Sequence, residues 1–143
     1  MSLHNICTAE RLHHTCIAVR DIEKTLEFYE YLFDLGNSIV EDVPDQEVKA
    51  ALIEINGSKL ELIQPTNQHG SIARFIERRG ESLHHICFEV DNLKETLDVM
   101  ASNGIKLIDK VPRQGLTGMI AFLHPQSTQG VLIELVDRDT ARR

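Results

Sequence analysis

The chain carries the sequence LHHTCIAV at residues 12–19 and nearly repeats it as LHHICFEV at residues 83–90. Toward the end of each copy comes an apolar run built around one glutamate, KLELI at residues 59–63 and LIELV at residues 132–136. Such self-similarity indicates an internal duplication, which has to be recognised before any other feature of the fold. A repeat that carries a His and a Glu at matched places predicts a pseudo-twofold site with four potential metal ligands.

The alternation of side chains along each His-bearing segment predicts which histidine faces a cavity. Successive side chains of a β-strand point to opposite faces, and both segments alternate between a more apolar and a more polar face. The first His of each doublet shares the apolar face, which predicts structural roles for His13 and His84. The second His lies on the polar face, so we expect His14 and His85 to look into a cavity.

The same parity predicts the direction of the two glutamates. Leu60 and Leu62 flank Glu61, and Ile133 and Leu135 flank Glu134, so each carboxylate points away from the apolar layer. An isolated strand glutamate commonly points to bulk solvent, and that alternative stays open for each residue alone. The matched positions in two modules favour a shared site instead, because a carboxylate among apolar strands is costly unless it is paired or bound to a metal.

Each His-bearing strand is followed by a pattern that predicts one helix and three further strands. Asp21 is a plausible N-cap of the first helix and Asn92 or Asp91 of the second, and Gly36 suits the exit of the first. A strand that ends in Val-Pro is predicted after each helix, at residues 39–44 and 107–112. Each module therefore reads β-α-β-β-β.

The predicted fold class is α+β, with two βαβββ modules pairing into one curved mixed β-sheet cup with helices outside. We expect a single domain over residues 8–140, with module 1 at about 10–64 and module 2 at about 83–137. A linker helix is predicted at about 71–80, capped by Ser71 and ended by Gly80.

Bulk composition narrows the classes of function. The chain has 143 residues, 42% hydrophobic and 26% charged, as in an ordinary globular domain. The net charge of −7 argues against a nucleic-acid partner, and no apolar run is long enough for a membrane span. No signal peptide is visible and three cysteines make no disulfide framework, so a cytoplasmic location is expected. Cys16 and Cys87 are predicted to be small buried residues.

Two imidazoles and two carboxylates make a mixed nitrogen and oxygen ligand set. Such a set suits Zn, Co, Ni, Mn or Fe(II), and the residues do not choose among these metals. The metal can act as a Lewis acid on a carbonyl or enolate oxygen, while a neighbouring carboxylate moves a proton on and off the adjacent carbon. The sequence contains no Gly-x-Ser-x-Gly, phosphate-loop or Cys-x-x-Cys motif that would favour other chemistry.

Several motifs together resemble the vicinal oxygen chelate superfamily, which includes glyoxalase I, and within it the methylmalonyl-CoA epimerases. The motifs are LHH at 12–14 with IAV at 17–19, PDQ at 44–46, LELIQP at 60–65, SIARF at 71–75, RRGE at 78–81, LHHI at 83–86, and FLHP at 122–125 with GVLIEL at 130–135. The resemblance extends from about residue 12 to residue 137.

The resemblance implies an enzyme that holds one divalent metal ion, expected to be Zn, Co, Ni or Mn, through His14, Glu61, His85 and Glu134. Glu134 would also act as the catalytic base. The implied reaction interconverts (R)- and (S)-methylmalonyl-CoA, so the partner would be an acyl-CoA thioester, and the implied assembly is a homodimer.

One position departs from the family pattern. Some epimerases carry a Glu at the position of Ala50, on the strand before the Asn56-Gly57 turn. With these two turn residues in the loop, Leu52 pairs with Glu61, and Ala50 faces the same cavity without a group that carries a proton. A different group or water would then complete the proton transfer, or the reaction is another one.

Three alternatives remain open. Glyoxalase I has the same ligand pattern, although no glutathione site is recognisable in this chain. A metal-free small-molecule binding protein of the same fold is disfavoured by the complete ligand set, and an Fe(II) extradiol dioxygenase by the short length. Arg74, Arg78 and Arg79 would meet CoA phosphates or form a solvated helix face.

Overall fold

The chain folds into two units, described here by a computed structural model for residues 4–35 and 37–143. The central unit is His14–His84. The terminal unit comprises His85–Arg143 together with the N-terminal segment up to His13. The unit boundaries fall inside the two LHH segments, so each predicted site histidine opens a unit.

The central unit contains four strands in the order β2-β3-β4-β1. Strand β1 runs parallel to β4, and the pairs β2–β3 and β3–β4 are antiparallel. Its elements are β1 (Ala9–Ala18, which starts before the unit), α1 (Ile22–Phe33), β2 (Glu41–Val43), β3 (Val48–Ile55), β4 (Ser58–Pro65) and α2 (Ser71–Arg79).

The terminal unit repeats this arrangement with the strand order β5-β8-β7-β6. Strand β5 runs parallel to β8, and the pairs β7–β8 and β6–β7 are antiparallel. Its elements are β5 (Ser82–Val90), α3 (Leu93–Ser102), β6 (Arg113–Gln114), β7 (Met119–Leu123) and β8 (Ile133–Asp137). The fold is therefore α+β with mixed strand pairing and two βαβββ modules, as predicted.

The main helices begin where the sequence predicts. The Asp21 carboxylate accepts a hydrogen bond from the Lys24 backbone N–H at 3.1 Å, and the Asn92 side chain accepts one from Glu95 N–H at 3.2 Å. Both bonds satisfy N–H groups that have no partner within the helix. Helix α1 ends at Phe33, and its C-cap, Asp34, adopts a left-handed conformation with φ of 59°. The predicted exit at Gly36 lies outside the described residues.

Helices α1 and α3 each form a hydrogen bond with the strand that carries the glutamate of their module. The first N–H of α1, at Ile22, donates to the Gln64 side chain at 2.9 Å, and the first N–H of α3, at Leu93, donates to the Asp137 carboxylate at 3.0 Å. Gln64 and Asp137 each follow their glutamate by three residues. The two modules therefore share this contact as well as their strand order.

Two local predictions are wrong. The strand predicted at residues 107–112 forms instead at Arg113–Gln114, and the earlier segment contributes only an isolated bridge from Leu107 to Leu123. Pro112 has no N–H to give to a strand ladder, so regular pairing begins after it. Helix α2 has the predicted bounds, but Gly70 is its N-cap and Ser71 is its first residue.

The apolar layer of each unit lies between a helix and one face of its strands. In the central unit, Ile22 and Leu26 of α1 pack with Ala51, Ile53 and Leu62. In the terminal unit, a matched cluster unites α3 with β7 and β8 through Leu93, Leu97, Ala121 and Leu135. Leu62 and Leu135 flank the site glutamates in sequence, so the glutamates point to the opposite face. None of the helices in the described residues combines the length and hydropathy that crossing a membrane requires.

Candidate active site

The central unit brings His14 and Glu61 together across two parallel strands. Glu61 is the register partner of Cys16, and His14 lies two residues before Cys16 on the same face. Both side chains are buried, with 1% of His14 and 5% of Glu61 exposed. The His14 Nε2 and Glu61 Oε1 atoms are 3.6 Å apart.

The terminal unit builds the same pair from His85 and Glu134. Glu134 is the register partner of Cys87, again two residues after the histidine. His85 is 6% exposed and Glu134 4% exposed, and the His85 Nε2 and Glu134 Oε1 atoms are 3.8 Å apart. All four residues chosen by strand parity are therefore buried, in two pairs of matched construction.

The chemistry and spacing of each pair suit a shared metal ion. Two donors that each lie about 2.1 Å from one ion are about 3.0–3.4 Å apart when they subtend a right or tetrahedral angle. The observed separations of 3.6 and 3.8 Å are slightly longer and exceed a hydrogen bond between the two atoms. Within each unit, a small adjustment of the side chains would place the nitrogen and oxygen donors on one ion.

The β3–β4 hairpin has the predicted register. Ile55 pairs with Ser58 and Leu52 with Glu61, around a turn in which Asn56 and Gly57 both have positive φ. Ala50 and Leu52 consequently lie on the same face of the strands as Glu61. Ala50 is 1% exposed and carries no ionisable group. The position at which this chain departs from the family pattern therefore lies on the same face as Glu61 of the His14–Glu61 pair.

In the terminal unit, aromatic packing supports His85. Phe122 is the register partner of Glu134, and its ring meets the His85 ring edge-on, with centroids 5.2 Å apart and an interplanar angle of 88°. The Arg113 guanidinium lies 5.7 Å from the centroid of Phe122 and pairs with Asp109 at 3.0 Å. Sequence reasoning missed these residues, although aligning β7 with β3 would have placed Phe122 opposite the glutamate.

The first histidine of each doublet makes contacts apart from the His–Glu pairs. His13 Nε2 donates a hydrogen bond to the Arg142 carbonyl at 2.6 Å, and the His84 ring packs edge-on against Phe75 with centroids 4.8 Å apart. His124 builds a turn, because its Nδ1 accepts a hydrogen bond from the Gln126 N–H at 3.0 Å.

Cys16 and Cys87 are fully buried, which confirms the prediction for them. Each is the register partner of a site glutamate. Neither thiol forms a disulfide.

A further buried carboxylate, Glu89, was missed by sequence reasoning. It accepts two hydrogen bonds from the Arg143 guanidinium, at 2.8 and 2.9 Å, and lies 3.3 Å from the Arg11 guanidinium. The hydrogen bonds from Arg143 hold the pKa of Glu89 below its usual value, although burial acts in the opposite direction. This carboxylate is satisfied within the terminal unit and has a structural role.

The arginines of α2 are not buried. None of Arg74, Arg78 and Arg79 lies in the core, and the Arg79 guanidinium sits 5.7 Å from the Phe75 ring centroid. Contact with CoA phosphates and a solvated helix face are both compatible with this placement.

The sequence of the chain matches a family model. The model of the Glyoxalase/Bleomycin resistance protein/Dioxygenase superfamily matches residues 13–122. The chain belongs to this superfamily. The resemblance inferred from the repeated His and Glu motifs is thereby confirmed.

Relatives within the superfamily include epimerases. The protein is 40% identical over 128 residues to the Uncharacterized protein YqjC of Bacillus subtilis, covering 89% of this chain and 91% of that protein. It is 32% identical over 127 residues to the mitochondrial methylmalonyl-CoA epimerase of Homo sapiens, covering 87% and 72%. The solved structure of a variant of Streptomyces coelicolor methylmalonyl-CoA epimerase in complex with 2-nitronate-propionyl-CoA superimposes with a TM-score of 0.86 at 28% identity, covering 95% of this chain and 100% of that one.

Proposed function

We propose that the protein is a divalent-metal-dependent epimerase that interconverts the two epimers of methylmalonyl-CoA. The observation that carries the proposal is the pair of matched, buried His–Glu contacts, one in each module. The relatedness to methylmalonyl-CoA epimerases directs this chemistry toward an acyl-CoA thioester.

In this proposal His14, Glu61, His85 and Glu134 together hold one ion of Zn, Co, Ni or Mn. Support comes from the two buried pairs, whose imidazole nitrogens and carboxylate oxygens are the donor types that these metals accept. The bound metal would supply a Lewis acid for an oxygen of the substrate, which lowers the cost of negative charge on the adjacent carbon.

Glu134 is proposed as the base that removes the α-proton. Its carboxylate is 4% exposed and lies beside the His85 and Phe122 rings, so water is largely excluded from it. The C–H electron pair stays on the substrate as an enolate, and protonation of the opposite face of the carbon produces the other epimer. A positioned base of this kind commonly contributes about 100-fold to 10,000-fold in rate.

The proposal is tested by incubating metal-loaded protein with each epimer of methylmalonyl-CoA in deuterium oxide. We expect epimerisation with deuterium incorporation at the α-carbon, measured by mass spectrometry against a blank without protein. Glu134→Gln should slow epimerisation at least about 100-fold while CoA binding is largely retained. Glu27→Gln, on the exposed face of α1, is the control and should behave as wild type.

Two outcomes would contradict the proposal. A Glu134→Gln protein that epimerises at the wild-type rate would refute the role of Glu134 as base. Metal-loaded wild-type protein that leaves both epimers unchanged, yet isomerises the methylglyoxal–glutathione adduct, would favour a glyoxalase I function instead.

A homodimer, which the family resemblance implies, is part of the same proposal. Its test is the molar mass of the purified protein by light scattering. A monomer mass across a tenfold range of concentration would contradict it.

A further inference from the structure

The proposed reaction needs a second proton carrier. Epimerisation removes a proton from one face of a carbon and delivers one to the other face, so a single carboxylate held on one side does not complete it. Ala50 carries no ionisable group at the position where some family members have a Glu, and it is 1% exposed. A proton carrier in the central unit therefore has to come from a residue other than Ala50.

The register of β2 places Glu41 beside Ala50. The two residues are direct partners in the antiparallel pair β2–β3. Direct partners project from the same face of a sheet, with Cα atoms about 4.5–5.5 Å apart. Ala50 in turn shares its face with Leu52, the partner of Glu61. Glu41 therefore projects from the face of the strands that carries Glu61.

Burial along the segment agrees with this direction. Val40, before Glu41, packs against the apolar cluster behind the strands, and Asp42, after it, is exposed. Glu41 is half-buried. The alternation separates Glu41 from both neighbours, as expected for a strand residue that points to the opposite face.

Ala50 carries only a methyl group, and because it is 1% exposed, neighbouring side chains cover the space beside it. A glutamate has three rotatable side-chain bonds, enough to cross the short distance between paired strands. The methyl group of Ala50 occupies little of the space on this face. A carboxylate anchored one strand away can therefore fill the region that a longer side chain at position 50 would take.

The terminal unit provides an observed example of this reach. Arg113 pairs with Ile120 in β6–β7, as Glu41 pairs with Ala50, and Phe122 pairs with Glu134, as Leu52 pairs with Glu61. The Arg113 side chain extends to 5.7 Å from the Phe122 ring centroid, beside the residue that supports the proposed ligand His85. A long side chain at this position thus reaches the partner of the site glutamate.

Glu54, another glutamate on this face of the strands, is less suited to carrying a proton. Glu54 and Lys59 are register partners near the Asn56–Gly57 turn and form an ion pair at 3.5 Å. The Glu54 side chain is 60% exposed, whereas that of Lys59 is 6% exposed. Glu54 is therefore more exposed to solvent than the half-buried Glu41.

We propose that Glu41 is the second proton-carrying residue of the epimerase, opposite in role to Glu134; this inference rests on the proposed function. As Glu134 takes the α-proton, the C–H electron pair becomes the enolate. The carboxylic acid of Glu41 then donates its proton to the other face of the carbon, forming the new C–H bond and leaving a carboxylate. In the reverse direction the two residues exchange roles, and exchange with solvent restores their starting protonation states.

The experiment compares Glu41→Gln with Asp42→Asn, a neighbouring carboxylate that faces the other way. Each metal-loaded protein is incubated separately with the (R) and (S) epimers in deuterium oxide, and inversion and deuterium content are measured together. Glu41→Gln should lose epimerisation by at least about 100-fold. It should still incorporate deuterium into one epimer without inversion, because Glu134 still removes that proton. Asp42→Asn should match wild type in both measurements.

A rescue variant separates a chemical role from a structural one. Glu41→Gln combined with Ala50→Glu restores a carboxylate to the same region and should recover epimerisation, with folding checked by urea denaturation. Wild-type epimerisation in Glu41→Gln, or loss of exchange from both epimers in a folded Glu41→Gln protein, would overturn the inference. Wild-type protein that exchanges neither epimer would instead refute the proposed function itself.

Discussion

At the scale of single residues, Glu89 shows how a buried charge is held in this protein. Its carboxylate is 1% exposed and accepts two hydrogen bonds from Arg143, with Arg11 nearby. Charge-assisted, bidentate contacts of this kind are stronger than neutral hydrogen bonds. The contacts with Arg143 and Arg11 explain why Glu89, which is not among the proposed metal ligands, can remain ionised at neutral pH.

Glu89→Gln should reduce the free energy of unfolding at pH 7 by about 1–3 kcal/mol, because it removes hydrogen bonds to a charged group. The pKa of Glu89 is lowered by Arg143, so its contribution is complete above the ordinary carboxyl pKa and is lost as the pH falls through the lowered value. Urea denaturation at pH 7 and pH 3 should show the difference from wild type shrinking at the lower pH. Exposed Glu77→Gln is the control, and an equal difference at both pH values would contradict this assignment.

The burial and the direction of the candidate site residues were predictable because strand alternation is a local property. The two residues on either side of His14 or Glu61 suffice to decide the face on which each lies. The repeat shows the same alternation a second time, around His85 and Glu134. Glu89 and Arg113 were not predictable in this way. The partner of Glu89, Arg143, is 54 residues away in the chain, and the contact of Arg113 with Phe122 depends on the pairing of the two-residue strand β6; sequence periodicity records neither.

At the scale of elements, the contact between each helix and its glutamate strand organises a module. The Asp137 carboxylate accepts hydrogen bonds from the first N–H of α3 and from the Asp139 N–H. A negative charge at a helix N-terminus is also favoured by the helix dipole. The side chain therefore positions α3 against β8, the strand that carries Glu134.

Asp137→Ala should lower the free energy of unfolding by about 1–2 kcal/mol, the usual cost of losing a helix cap. The loss should be measured by chemical denaturation at neutral pH. Asp139→Ala is the matched control, since the Asp139 side chain is 78% exposed and should change stability by less than about 0.5 kcal/mol. Equal effects of the two substitutions would show that the bond to α3 does not stabilise the module.

Prediction of elements succeeded where local chemistry decides the backbone. The Asn56-Gly57 turn requires two positive φ angles, so it fixed the hairpin register that places Ala50 and Leu52. Prediction failed at β6, because this strand has only two residues and follows Pro112. So short a strand carries no periodic pattern, and its position depends on the pairing offered by β7.

At the scale of the whole molecule, metal binding should raise stability, because a ligand that binds only the folded chain shifts the unfolding equilibrium. At a free metal concentration of 100 times Kd the gain is about 2.7 kcal/mol. Denaturation of metal-free and metal-loaded protein measures it. His85→Ala should abolish most of the increment, whereas His84→Ala should retain it, since His84 packs against Phe75. An increment lost equally in both variants would contradict the proposed ligand set.

The duplication fixes what the two modules share, and the register shows where they differ. The His–Glu pairs, the cysteines opposite the glutamates and the contacts between helix and strand all recur. The paired residues between the two outer strands of each unit differ. Glu41 pairs with Ala50 in the central unit, whereas Arg113 pairs with Ile120 in the terminal unit.

That difference is possible because both modules belong to one chain. Two identical modules expressed as separate chains must carry the same side chain at matched positions, and any substitution appears in both. Fusion into one gene removes this restriction, so one copy can hold an acid and the other a cation at the same place. Glu41 and Arg113 occupy matched positions, so the two modules of this chain offer unlike chemistry where two identical modules would offer the same.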